Sequence, residues 1–127
     1  MIGFLVVFLG GGLGAALRHG VNLLAARLVG TSFPWGTLFE NVSGSFAMGL
    51  LGAYFAFRGG GEVTQHWRLL LTTGILGGYT TFSAFSLDVA LLYERGEAAM
   101  AALYVLASVA LAIGGLFAGF ALVRHLS

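Results

Sequence analysis

The residues with the most chemical potential in this chain are few, and they stand in apolar surroundings. GGYTTFSAFSLD, Gly77 to Asp88, holds two adjacent glycines, four Ser/Thr hydroxyls, two phenylalanines and an acid. Gly77-Gly78 weakens a helix, and Thr80, Thr81 and Ser83 can bond nearby backbone groups instead of sustaining the helical ladder. The pattern predicts a helix interrupted at the glycine pair. Such a break at membrane depth frees carbonyls and amides, the groups with which several transporters bind ions. Phe82 and Phe85 are three apart and share one helix face. An aromatic ring has a positive edge and a negative face, so two rings presented edge-on would tolerate a small dehydrated anion. Periodicity alone favours core packing for both rings.

Other polar side chains sit at similar depth. Asn41 carries two amide donors, and Ser45 follows one turn later on the same face. In lipid an unpaired amide costs a few kcal/mol, so Asn41 points to a partner helix or to a pore. Tyr104 and Ser108 form a second pair one turn apart, explained equally by interhelical bonding or by a polar path. Arg18 lies well inside an apolar run, where an ionisable residue is costly. It either snorkels to the interface or faces a water-filled vestibule and attracts anions. Glu40 and Asp88 lie nearer the ends of their runs, in positions open to solvation.

The elements that must position these residues are read from composition. The chain has 127 residues, 58% hydrophobic and 9% charged, with a mean hydropathy of +0.94. That leaves too little charge for the surface of a soluble domain. Four stretches match the roughly 20 apolar residues a membrane crossing needs: Ile2 to Leu28, Trp35 to Phe57, Trp67 to Tyr93, and Ala98 to Val123. The expectation is an all-α membrane protein, residues 1–127 forming one transmembrane domain of four helices, the third broken at mid-membrane. Thr31 or Ser32 is a possible cap and Pro34 belongs in the first turn of the second helix. Arg58 to Trp67 reads as a flexible polar loop, and Tyr93 to Glu97 as a tight charged turn. The first stretch, with no basic region before it, reads as a retained helix.

Four spans put both termini on one side, with Arg58, Arg68 and Arg124; Arg27 and Arg95 lie on the other. Lys/Arg bias sets insertion direction, and this bias is slight. The chain is therefore expected to insert both ways and to form an antiparallel homodimer. Ser45/Gly49, Gly115/Gly119 and Gly10/Gly14 give spacings that let backbones approach closely, within one chain or between two.

Several function classes drop away. A net charge of +1 without a basic stripe implies no nucleic-acid partner. The absence of cysteine removes thiol chemistry. Gly10, Gly12 and Ala15 match a dinucleotide fingerprint, but no strand precedes them. Asn41-Val42-Ser43 is a glycosylation sequon inside a span. His19, His66 and His125 are too scattered for a metal site, and no catalytic constellation is visible, so no enzyme is expected.

Taken together, GGLGAALRH (Gly11 to His19), WGTLFENVSGSF (Trp35 to Phe46) and TTGILGGYTTFSAFS (Thr72 to Ser86) resemble the Fluc/CrcB family of fluoride channels over nearly the whole chain. The resemblance implies a dual-topology homodimer in the cell (inner) membrane, in contact with lipid, with two antiparallel fluoride pathways. It implies that Asn41 contributes a pore amide and that Phe82 and Phe85 present ring edges to fluoride. Ser83, Tyr104 and Ser108 match the family's polar track, and Arg18 its first-span arginine. It also implies a structural sodium ion at the dimer centre, held by backbone carbonyls that correspond to Gly77 and Thr80. The activity implied is passive fluoride export from the cytoplasm, for which about 100 mV of potential supplies roughly 2.3 kcal/mol per charge.

Two positions depart from the family pattern. Ala84 replaces a common Thr, removing one hydroxyl, and Glu40 stands beside Asn41 where an apolar residue is usual. An acid there repels an anion unless it is neutral, paired or turned away, and Glu40 is expected to face a vestibule or the interface. The alternative activity is a small proton-coupled four-helix exporter, which needs a titratable carboxylate deep in its cavity.

Overall fold

The computed structural model describes residues 1–58 and 61–126, excepting the side chains at 58, 62 and 63. Helices account for all its regular structure: α1 (Ile2–Val29), α2 (Trp35–Arg58), α3 (Gly61–Arg68), a π-helical segment (Leu69–Leu76), α4 (Gly77–Tyr79), α5 (Phe82–Glu94) and α6 (Ala98–Leu126). The elements from α3 to α5 follow one another as a single irregular rod.

Local chemistry explains the helix ends. Gly30 closes α1 at φ 83°, a conformation that favours glycine. Gly96 takes φ 80° after α5, with Gly96 N–H bonding the Tyr93 carbonyl and Glu97 N–H the Leu92 carbonyl. This is a Schellman closure, and it turns the chain directly into α6. Arg95 in that turn donates to the Ser32 carbonyl at 2.7 Å, tying it to the α1–α2 connection. Helix α2 begins at Trp35, so Pro34 precedes its first turn, accepting from Leu38 N–H through its carbonyl. The expected loop from Arg58 to Trp67 is mostly helical, since α3 starts at Gly61; Gly59 and Gly60 lie outside the described residues.

Glycine sets the packing. A methyl group at Gly14 would overlap the Ile75 carbonyl, one at Gly78 the Gly11 carbonyl, and one at Gly10 would come within 2.9 Å of the Leu70 carbonyl. Helix α1 therefore lies backbone-to-backbone against the π-helical segment and α4. On the other side α2 runs along α6, with Gly49 against the Leu116 backbone and Gly119 against Phe46. The small-residue spacings thus operate inside one chain.

Many of the larger apolar side chains point outward. Phe4, Phe8, Leu106 and Phe117 are exposed, while the buried cluster consists of Phe33, Phe85, Leu92, Ala101 and Tyr104. Exposed apolar faces of this extent call for lipid or a partner subunit. Among the described residues, three helical stretches are long and apolar enough to cross a membrane: Ile2–Val29, Thr64–Glu94 and Ala98–Leu126. Helix α2 is long enough but holds Glu40, Asn41, Ser43 and Ser45, which lower its apolarity.

Candidate functional site

The third span is interrupted, but not where the glycine pair stands. Gly77 is helical at φ −62°, ψ −36°, and Gly77 and Gly78 both belong to α4. The backbone leaves the helix at Thr80 (ψ 156°) and Thr81 (φ −155°, ψ 121°), both extended. The glycines give α1 its close approach, and hydroxyl and amide side chains make the break.

Asn41 holds it open. Its Oδ1 accepts from Thr81 N–H at 2.8 Å, and its Nδ2 donates to the Thr81 carbonyl at 3.1 Å. One side chain on α2 thus satisfies the Thr81 N–H, which has no helical partner and would otherwise cost about 1–3 kcal/mol, and adds a second bond to a carbonyl that already accepts the first bond of α5. Thr81 also caps α5 through Oγ1, which accepts from Ala84 N–H at 3.1 Å. Thr80 Oγ1 donates back to the Leu76 carbonyl at 3.0 Å. Asn41 was legible as a polar contact in the span; Thr81, its partner and the helix cap, was read only as one hydroxyl among several. Its signal was the cap position, just before the apolar turn that begins at Phe82.

These bonds have a consequence for the carbonyls. In an unbroken helix Thr81 N–H would bond the Gly77 carbonyl and Ala84 N–H the Thr80 carbonyl. Here the first goes to Asn41 and the second to Thr81 Oγ1. These two bonds take the helical donors of the Gly77 and Thr80 carbonyls, and the Gly78 and Tyr79 carbonyls at the same helix end lose theirs to the break as well. The neighbouring Gly78 carbonyl accepts from Arg18 Nε at 3.1 Å. Arg18 is thus half-buried and bound to the end of α4, where a cation complements the helix dipole.

A cavity of about 330 Å³ opens at the break, lined by Asn41, Ser45, Thr80, Thr81, Phe82, Phe85, Ser108 and apolar residues of α6. It gathers Asn41, Phe82, Phe85 and Ser108 from three helices. The two phenylalanine rings touch, centroids 5.5 Å apart and planes at 46°. Their settings differ: Phe85 is 8% exposed and Phe82 78%. Ser108 Oγ is buried and has no hydrogen-bond partner. Tyr104 lies one layer behind, fully buried, its ring 5.1 Å from Phe85 and its hydroxyl donating to Asp88 at 3.0 Å. Ser83 is exposed, 3.3 Å from Thr81 Oγ1, and is not among the lining residues.

A second cavity, of about 310 Å³, lies towards the α1–α2 and α5–α6 connections, with Asn22, Thr37, Asp88 and Arg95 among its walls. Asp88 thus has a polar setting. Glu40 does not: it is 0% exposed, and neither carboxylate oxygen has a hydrogen-bond partner. It lines neither of these cavities, which corrects the expectation that it faces a vestibule or the interface. Among the described residues no three His, Cys, Asp or Glu side chains converge to form a metal site of that ligand type.

Residues 5–120 match the model of the family described as CrcB-like protein, Camphor Resistance (CrcB). The chain is 66% identical over 124 residues, 98% of both chains, to a protein of Rhodopseudomonas palustris (strain BisB5) named fluoride-specific ion channel FluC. It is 64% identical, with the same coverage, to fluoride-specific ion channel FluC 2 of Nitrobacter hamburgensis. A Methylobacterium nodulans protein named fluoride-specific ion channel FluC is also 64% identical, over 125 residues. This is a membrane-protein family with an ion-conducting role among its named members, and the chain belongs to it: it is a CrcB-family protein.

Proposed function

We propose that this chain forms a fluoride-selective channel through which fluoride leaves the cytoplasm passively across the inner cell membrane. The observation that carries this reading is identity of 66% over 98% of both chains with a relative named as a fluoride-specific channel. The site agrees in kind. A small, strongly hydrated anion needs donors and positive ring edges in place of water, and the cavity at the break offers the second Asn41 N–H, the Ser108 hydroxyl and two phenylalanine rings. Ser83 and Tyr104 extend this polar set on either side, and Arg18 adds positive field from behind the break. No nucleophile or catalytic base is needed for movement down a gradient.

The pathway is completed by a second copy. Helix α2 acts as the fourth crossing, its polar residues shielded within the assembly. Phe82, exposed on a single chain, lies on the surface that a second chain would cover. The balanced arginines favour two opposed orientations, giving an antiparallel dimer. The family resemblance adds a structural sodium ion at its centre; the Gly77 and Thr80 carbonyls, two of the four at the break without helical donors, are oxygen ligands of the kind a hard cation takes. Sodium there would supply positive charge that fastens one break to its twin.

Fluoride efflux from proteoliposomes, driven by potassium with valinomycin, tests the reading. Rapid fluoride loss with chloride retained supports it, and retained fluoride refutes it. The rival, a proton-coupled exporter, gains one observation in the buried Glu40. It requires uphill fluoride movement driven by a pH gradient alone, whereas a channel gives none.

A further inference from the structure

Glu40 stands out as the one fully buried acid among the described residues, and both its oxygens lack partners. A carboxylate in such a place is costly, and neither neighbour relieves it by hydrogen bonding. Arg18 on α1 and Asp88 on α5 are the charges that act on it. Arg18 Nε is committed to the Gly78 carbonyl, and Asp88 accepts the Tyr104 hydroxyl from α6. Tyr79 of α4 faces Ser43 at 2.9 Å. An apolar side chain would fill the space without cost, so an acid here breaks a local rule beside a functional residue. Glu40 is also adjacent in sequence to Asn41, whose amide both clamps Thr81 and lines the anion cavity.

We propose that Glu40 is a proton-binding residue set behind the anion cavity, and that fluoride flux falls when it loses its proton. This rests on the channel reading above. With a proton, Glu40 is neutral and leaves the cavity's potential to Arg18 and the ring edges. Without one, it adds a negative charge within about a helix diameter, ~10 Å, of the Asn41 amide. At an effective dielectric of about 20, that repulsion corresponds to about tenfold in rate. Thr37, one turn before Glu40, lines the second cavity together with Asp88, which gives protons an approach from that end. The device modulates rate and drives nothing uphill.

The test measures the valinomycin-dependent component of fluoride efflux across a pH series, which excludes diffusion of neutral HF. Wild type is expected to slow by about tenfold as pH rises, while Glu40→Gln keeps the faster rate throughout. Glu40→Leu serves as a second neutral variant, and Asp88→Asn should retain the pH dependence. Robust wild-type flux with a flat profile overturns the inference and leaves the channel reading intact. So does a profile that survives in both Glu40 variants, or one abolished by Asp88→Asn alone. If wild type shows no fluoride flux at any pH, the channel reading falls and takes this inference with it.

Discussion

The two halves of the third span solve the same problem, an interrupted helix among apolar neighbours, by opposite means. Before the break, the π-helical segment and α4 have almost no side-chain layer towards α1: Gly10, Gly11, Gly14, Gly74 and Gly78 bring backbone onto backbone. After it, α5 packs into a large aromatic layer, with Phe85 tilted against Tyr104 and Tyr104 edge-to-face with Phe33. The first half is fixed by the absence of atoms, the second by their bulk. Between them, the extended Thr81 is held by a side chain from a different helix. Position is thus set by glycine and conformation by Asn41, which separates what mutations in each half should do.

Gly14→Ala should have the largest effect. Its methyl would overlap the Ile75 carbonyl, and backbone on both sides leaves no flexible neighbour to yield. A loss of about 3 kcal/mol or more is expected, read as loss of monodisperse protein in detergent. Asn41→Leu comes next. It strands the Thr81 N–H and removes the second bond to the Thr81 carbonyl, costing about 1–3 kcal/mol, and should reduce fluoride flux by about a hundredfold or more. Thr81→Val removes the α5 cap and should cost about 1 kcal/mol in thermal or denaturant stability, with Thr81→Ser near wild type. Gly12→Ala should do least. Nothing lies within 4 Å of a methyl there, so a gain of about 0.5–1 kcal/mol from helix propensity is expected. If Gly12→Ala and Gly14→Ala behaved alike, the backbone-contact account of the first half would be wrong.

Much of the architecture was legible because lipid leaves the chain few options. Long apolar runs punctuated by Gly30, Pro34 and Gly96 allow little besides helices, and the break announces itself by helix-poor residues in mid-run. What could not be read was which of those residues does what. Gly77-Gly78 looked like the breaker because isolated propensity ranks glycine lowest. Tertiary contact overrode that: both stay helical, Gly78 against Gly11 of α1, and the interruption falls where Asn41 can reach. In the same way, closeness to the end of a span suggested solvent for both acids. It was a fair guide for Asp88 and failed for Glu40, because depth along a helix does not tell which face a side chain occupies. Asn41 and Glu40 are consecutive, one clamping the break and the other buried without partners, and no composition argument separates them.

The most direct test of the central claim, that the Asn41–Thr81 clamp shapes the fluoride path, compares initial fluoride efflux from liposomes holding wild type or Asn41→Leu. Both must elute as the same assembly and be matched for protein. The account predicts that wild-type vesicles empty quickly while the variant's stay largely full. Equal emptying by a folded Asn41→Leu protein would contradict it.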